Sequence, residues 1–284
     1  MIITNQNGNA TVSIDLSTGT KIRRVSGEKY SPDYPETIDL KITNYCDAGC
    51  GFCHESSTVK GKHADLEELK TQLQNLPSYT ELAIGGGNPL SHPELIPFLR
   101  WCRDRNFIAN ITVNHKHVPY LTEEIKQLVY GIGISVSSNP TEFQLVNANN
   151  VVYHVIAGIH DPNSVLEFFQ NQRILVLGYK QYGLGIKYFS QQVEDCIHKW
   201  KHQLPQYLKK HNYQTISFDN LALEQLKVKR LVSAETWQTL YMGDDFTASM
   251  YIDAVKKEFS PTSRSNNRIS WSKTDLWNFF HEIL

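Results

Sequence analysis

Between residues 36 and 185 the chain alternates between two hydrophobic periods. Short apolar runs rich in β-branched residues occupy 38–43, 81–84, 108–113, 132–136, 151–156 and 174–177. Runs of this length and composition predict strands buried on both faces. Between them, apolar residues recur at helical spacing. The stretch 64–76 carries Leu66, Leu69, Leu73 and Leu76, and 93–105, 122–130 and 163–170 follow the same rule. Thr122 followed by Glu123 and Glu124 marks a helix start, because acidic side chains favour the positive end of the helix dipole. Six strands taking turns with helices imply an α/β fold with a parallel sheet and right-handed crossovers, either open or closed into a barrel.

The flanks read differently. Residues 9–25 alternate apolar and polar positions around Ser17, Thr18 and Gly19, which predicts a β-hairpin. Pro32 and Pro35 then punctuate an extended linker. After Gly185 the rhythm changes. Residues 190–212 are helical and basic, with Lys199, Lys201, Lys209, Lys210, His198, His202 and His211. A solvated helix face explains these better than a nucleic-acid contact. Residues 215–218 and 249–255 look like further strands and 274–283 like a closing helix. The expected organisation is an N-terminal hairpin and linker (1–35), a core (36–185) and a C-terminal α+β extension (186–284) capping the sheet on its substrate side.

Charge narrows the partners. The 28 Lys and Arg against 29 Asp and Glu give a net charge of −1, which argues against wholesale binding of nucleic acid or anionic membrane. No apolar run nears the ~20 residues of a bilayer span, and the N-terminus lacks the pattern of a secretory signal. The expected location is the cytoplasm.

Cysteine changes the picture most. Of five cysteines, Cys46, Cys50 and Cys53 fall in one short stretch directly after the first core strand, while Cys102 and Cys196 stand alone. An odd number of thiols without a signal peptide does not make a disulfide framework. Cys50 to His54 matches the haem c attachment pattern, but that leaves Cys46 unexplained. Three thiolates with His54 form a chemically reasonable zinc set, although neighbouring Cys53 and His54 have difficulty turning onto one ion. A redox pair would use only Cys50 and Cys53. Three soft, charged thiolates can instead hold three irons of a 4Fe–4S cube and leave the fourth open, with Gly49 and Gly51 letting a tight loop wrap the cluster.

The spacing Cys46-x3-Cys50-x2-Cys53, with Phe52 before the last cysteine, resembles the signature of the radical S-adenosylmethionine (radical SAM) superfamily. Ala83-Ile84-Gly85-Gly86-Gly87-Asn88-Pro89-Leu90, followed by His92-Pro93-Glu94-Leu95, resembles that superfamily's glycine-rich turn after the second strand. Asn88 departs from the pattern, standing where many members carry Glu. The resemblance covers about residues 36–185 and implies a partial (β/α)6 TIM-like barrel.

The resemblance further implies that Cys46, Cys50 and Cys53 ligate a 4Fe–4S cluster whose open iron is chelated by SAM. Phe52 would lie near the adenine. Gly85, Gly86 and Gly87 would offer close backbone approach to the methionyl amine, beside Asn88. Asn114, Ser135 and Ser137, at the ends of the third and fourth core strands, would reach the ribose or carboxylate, or simply cap turns. The segment Val155-Ile156-Ala157-Gly158 would wall the adenine or belong to the core. The implied reaction is reductive cleavage of SAM to a 5′-deoxyadenosyl radical that takes hydrogen from substrate, with an electron donor such as flavodoxin or ferredoxin.

The substrate, whether small metabolite, nucleotide or peptide, is not legible. Lys180 in the polar segment 178–183 is the candidate substrate contact. Acidic residues recur near expected strand ends at Asp219, at Asp244 and Asp245, and at Asp253. Cys102 reads as packing, and Cys196 as a hydrogen-atom donor has no support. The alternative is a non-catalytic Cys3His zinc or iron–sulfur module, against which the glycine turn and the strand–helix alternation speak.

Overall fold

In the computed structural model, which describes residues 1–137, 144–148, 150–210 and 213–283, the N-terminus forms a small antiparallel meander. Its strands are β1 (Ile2–Asn7), β2 (Ala10–Asp15) and β3 (Thr20–Val25), in that order. The hairpin expected over 9–25 is β2 and β3, its turn held by Asp15, whose carboxylate accepts from the Ser17 amide at 3.0 Å. β1 was not legible, because after Ile2 and Ile3 it is wholly polar. The expected linker is folded back on the meander rather than extended freely. Asn7 Oδ1 accepts from the Asp33 and Tyr34 amides, and Asn9 Nδ2 donates to the Ser26 and Lys29 carbonyls. These side chains satisfy backbone groups that no ladder reaches.

The second sheet follows in the order of the chain: β4 (Thr37–Thr43), α1 (Leu66–Leu73), β5 (Glu81–Gly86), α2 (Leu95–Asp104), β6 (Ile108–Asn114), α3 (Glu123–Leu128), β7 (Gly131–Ser135), β8 (Val151–Ile156), α4 (Pro162–Phe168) and β9 (Arg173–Leu177). β4 to β9 lie side by side and parallel, as the alternation predicts. The helices begin where acceptor side chains allow. Asp65 caps α1, Thr122 caps α3, and Asp161 caps α4 with Pro162 in its first turn.

The C-terminal third does more than cap this sheet. It comprises α5 (Leu184–Tyr188), α6 (Gln191–Lys210), β10 (Thr215–Phe218), α7 (Asn220–Gln225), α8 (Ala234–Leu240), β11 (Ser249–Asp253), β12 (Glu258–Ser260), β13 (Ile269–Ser270) and α9 (Leu276–Ile283). β10 pairs parallel to β9 at one end of the sheet, and β11 pairs parallel to β4 at the other, followed by antiparallel β12 and β13. His211 and Asn212, expected to close the basic helix, lie outside the described residues. No helix among the described residues is long and apolar enough to cross a membrane.

The sheet is curled. Contacts join elements from its two ends: Asn220 Nδ2 donates to Asp245 Oδ1 at 2.8 Å, and Lys180 Nζ donates to Ser263 Oγ at 3.2 Å. Residues beyond β9 and β10 therefore meet residues flanking β11 and β12, which makes an incomplete barrel. On β4, Ile38, Leu40 and Ile42 are buried in the layer that holds Leu66, Leu69 and Leu73 of α1, and Phe98 and Leu99 of α2. The alternate residues Thr37, Asp39, Lys41 and Thr43 face the other way, into the lumen. Outside, Trp200 of α6 is fully buried and donates its indole N–H to the His160 carbonyl at 2.7 Å. Cys102 is likewise buried in the core.

At the N-terminal end of the strands the meander docks through Glu36, whose side chain is only 5% exposed. Arg23 grips it with Nε at 2.8 Å and Nη2 at 2.9 Å, and the Tyr30 hydroxyl donates at 2.6 Å. Lys21 lies 3.6 Å from Glu36 and also pairs with Glu81. Burial opposes ionisation of Glu36, but Arg23, Lys21 and Tyr30 outweigh it and hold the carboxyl below its ordinary range. A depressed carboxylate stabilises the fold above its unfolded pKa, and that contribution is lost as pH falls through the folded value. Glu36→Gln, which strands Arg23, is expected to cost about 3 kcal/mol in urea unfolding at neutral pH. The deficit should shrink as pH falls below the ordinary carboxylate range and toward the lower folded value, where the wild-type side chain also takes up a proton. An equal deficit at all pH values would rule this docking account out.

Candidate active site

β4 ends at Thr43, and residues 44–63 then cross the C-terminal end of the sheet without a helix or strand. In parallel α/β sheets that end is where ligands bind. The loop is tied to itself at its neck. Asn44 N donates to Lys62 O at 2.8 Å, Cys46 N to Thr58 O at 3.0 Å, and Thr58 N to Asn44 O at 3.2 Å. Gly61 closes this neck, since a Cβ there would lie 1.8 Å from the Asn44 carbonyl oxygen.

The glycine turn after β5 presses directly on the same loop. Gly87 N donates to Thr43 O at 2.8 Å and Asn88 N to Tyr45 O at 2.7 Å. A Cβ on Gly87 would stand 2.1 Å from the Tyr45 oxygen, and one on Gly86 2.4 Å from that of Thr43. Gly86 also has φ +111°, which disfavours any side chain. These two glycines are thus required by the protein's own backbone. Gly85 differs: its Cβ would meet nothing nearer than Thr112 Cβ at 4.0 Å. Asn88 caps the following turn, accepting from Leu90 N at 3.2 Å, and its Nδ2 lies 3.4 Å from Asp47 Oδ1.

The third and fourth core strands bring the remaining polar candidates to the thiols. Asn114, at the end of β6, donates from Nδ2 to Cys50 Sγ at 3.6 Å, while its Oδ1 accepts from Lys116 N at 3.1 Å. Ser137 Oγ donates to Asn114 Oδ1 at 3.2 Å and so backs the amide that reaches Cys50. Lys116 Nζ donates to the Ala48 carbonyl at 2.8 Å. Ser135 pairs in register with Asn114 and His154, but its side chain makes none of these contacts. Val155 and Ala157 are fully buried core, and Gly158 turns toward Val193 and Ile197 of α6.

α5, which the hydrophobic pattern did not reveal, covers the other side of the loop. Leu184 N donates to Cys53 O at 3.0 Å, and Phe52 meets Tyr188 edge-on with ring centroids 5.7 Å apart. Gly183 (φ +56°) is the signal that could have found this contact, for a Cβ there would lie 2.4 Å from the His54 oxygen.

The three thiols are half-buried. Burial pushes Cys46 and Cys50 up from the ordinary thiol range, and each also feels the neighbouring thiols. A single zinc with bonds of about 2.3 Å to sulfur would draw its thiolates to about 3.8 Å from one another. Among the described residues, the donors gathered within 4.8 Å are Cys46, Asp47 and His117; the three thiols with His54 form no such group. His54 instead turns its Nε2 to Glu55 Oε1 at 3.4 Å. A wider set of soft sulfur donors, free of side-chain bulk at Gly49 and Gly51, fits a polynuclear iron–sulfur group better than one ion.

Below the loop the lumen carries charge. Lys41 Nζ lies 2.7 Å from Glu55 Oε2 and 3.2 Å from Asp253 Oδ2, and the Tyr251 hydroxyl donates to Glu55 Oε1 at 3.1 Å. Lys180 stands on the segment after β9 and bears electrostatically on Asp39, His54 and His154. Cys196 lies on α6, bonded through Sγ to the His160 carbonyl at 3.2 Å, away from these groups.

The family model for the radical SAM superfamily matches residues 40–213. Among solved structures, the chain is similar to Streptococcus suis SuiB bound to precursor peptide SuiA, with a TM-score of 0.63 and 10% identity over 98% of this chain and 87% of that one. SuiB bound to S-adenosylmethionine gives the same TM-score and identity over 98% and 86%. At such identity the likeness is one of fold, and the partial barrel is its content. No curated protein matches the sequence.

Gly87→Ala is expected to cost about 1–3 kcal/mol in urea unfolding, because the cysteine loop must yield. Gly85→Ala, which meets open space, should be neutral or slightly stabilising. Equal losses from the two would refute the assignment of Gly87 to the loop contact.

Proposed function

The chain belongs to the radical SAM superfamily, and we propose that Cys46, Cys50 and Cys53 hold its 4Fe–4S cluster above a barrel lumen that receives a small polar substrate. Members of the superfamily are enzymes that use this cluster and SAM; together these supply reductive cleavage of the sulfonium and removal of a hydrogen atom from substrate. The observation that carries the assignment is the interlocking of the cysteine loop with the glycine turn through Gly86 and Gly87 at the C-terminal end of the sheet.

The chain's own residues then have distinct tasks. Asn114 directs a polar hydrogen at Cys50, with Ser137 donating to the Asn114 carbonyl oxygen behind it, which favours the thiolate form and fixes the loop against β6. Gly85 leaves backbone open to the lumen, the place for the methionyl group of SAM, with Asn114, Ser135 and Ser137 as its polar neighbours. Asn88 holds Asp47 and the turn beside that place. α5 and the Phe52–Tyr188 contact shield the outer side of the loop from water. Lys180 addresses the substrate, and the C-terminal segment 186–284 closes the lumen beside it, while 1–35 supports the far end of the core. An electron donor of the flavodoxin or ferredoxin type supplies the reducing equivalent, and the chain works in the cytoplasm.

Anaerobic reconstitution tests the proposal. The wild type should bind about four irons per chain, with a visible band that bleaches on reduction, and should release 5′-deoxyadenosine from SAM with dithionite. Cys50→Ala should retain the fold but lose both signals. A colourless protein with one zinc per chain and no SAM cleavage would overturn it.

A further inference from the structure

Among the charges that line the lumen, two arrangements contrast. Lys41, Glu55 and Asp253 contact one another directly, with Tyr251 and His54 bonded to Glu55 and Arg268 stacked over Tyr251 at 5.2 Å. Two others face the same space without an ionic partner. Asp39 points inward from β4, solvent-accessible, and its carboxylate makes no hydrogen bond or ion pair among the described residues. Lys180 is half-buried and has one partner, the neutral Ser263 hydroxyl at 3.2 Å. Lys180 acts on Asp39 together with the carboxylates Asp245, Asp219 and Glu55, yet stands outside ion-pair distance of it.

Asp39 is open to the lumen and Lys180 half-buried, so the fold leaves both charges available to a bound group instead of consuming them in an ion pair. Their backbones are also held firmly apart. Asp39 sits on a strand flanked on both sides, by β5 and β11. The segment carrying Lys180 is clamped: Gln225 bonds Tyr179 N at 2.9 Å and Tyr179 O at 3.0 Å, and the Tyr179 hydroxyl donates to Gly185 O at 2.7 Å. A merely solvated lysine needs no such support.

His154 adds a neutral contact. Its ring occupies the room left by Gly133, where a Cβ would come within 2.5 Å of Cε1. Its nitrogens make no hydrogen bond among the described residues. Burial and the Lys180 charge push its pKa down to about 4, so it offers one donor and one acceptor at neutral pH.

We infer that the lumen takes a zwitterionic substrate, its cationic group on Asp39, its carboxylate or phosphate on Lys180 and an uncharged polar group beside His154. This deepens the radical SAM reading above and rests on it for the choice of this lumen as the substrate site. The inference excludes purely apolar substrates and simple dianions, which would leave Asp39 unmatched.

The test uses the reconstituted protein and the ω-amino acids from glycine to 6-aminohexanoate, each with its N-acetyl and its methyl-amide form, measured by calorimetry. At least one free zwitterion should bind ten-fold or more tightly than both blocked forms. Asp39→Asn should erase the penalty for N-acetylation, and Lys180→Met the penalty for the methyl amide. Asp39→Glu and Lys180→Arg, which keep the charges, should retain the corresponding penalties and control for misfolding. Free and blocked probes binding alike throughout, or a discrimination that survives both charge-removing variants, would overturn the inference. Because the readout is binding and not turnover, iron content judges the cysteine loop separately: a chain that loads four irons but ignores the probes' charges sinks the lumen assignment alone.

Discussion

Two backbone segments meet at the C-terminal end of this sheet closer than side chains permit, and the arrangement of the site depends on that approach. The turn after β5 lies on the loop after β4 with Gly86 and Gly87 against the carbonyls of Thr43 and Tyr45. The loop has no helix or strand of its own to stiffen it, so beyond the bonds at its neck it leans on the turn after β5 through two backbone hydrogen bonds. With the turn in place, Asn88 reaches Asp47 and Asn114 reaches Cys50. Moving the loop by the width of one methyl group would disturb each of these contacts.

The lumen is polar along β4 and roomy along β5 and β7 for a reason visible in the strands. Closed eight-stranded barrels fill their interiors with branched apolar side chains. Here β5 and β7 present Ala83, Gly85, Gly131 and Gly133 inward, while β4 presents Asp39 and Lys41. Small residues leave space, and the glycines of β7 are occupied by the side chains of Asn110 and His154. Burial keeps the Lys41–Glu55–Asp253 cluster paired, and Glu55 is held well below the ordinary carboxylate range by His54 and Lys41 in spite of its desolvation. That cluster joins β4, the cysteine loop and β11, so it also fastens the C-terminal third to the core.

Legibility in the sequence followed local physics. The six core strands and their helices were readable because each buries an apolar stripe, and Thr122 was readable as a cap because capping is local. The thiol set and the glycine turn were readable as motifs. What escaped was set by distant partners. β1 has too little apolar content to register, and its place comes from pairing with β2. α5 is one and a half turns long, and its position depends on Cys53 and His54 far upstream. Asp39 sits in an apolar strand where periodicity marks it only as an alternate position; that it faces Lys180, 141 positions away (180 − 39), is a fact of the curled sheet. The glycines were assigned to the cofactor from the motif, whereas the structure shows that two of the three are first needed by the fold.

The segment between β9 and α5 ties these observations together. Its start, Gly178, is fixed by the Asp219 carboxylate at 2.9 Å, and a Cβ there would strike Leu221. Its end is fixed by Cys53 and His54. Lys180 lies between these two anchors, so one short stretch touches the cysteine loop, the cap of α7 and the charge that faces Asp39. The cysteine loop is thus joined to the stretch that carries Lys180 through Leu184 and Gly183. The incomplete barrel requires such a strap: β10 and β11 do not pair, and contacts such as Lys180 with Ser263 and Asn220 with Asp245 span the opening that a closed sheet would seal with a ladder. Closing the lumen with side chains rather than strands leaves a gap of adjustable chemistry, which is where a fold shared by many reactions can differ from one substrate to the next.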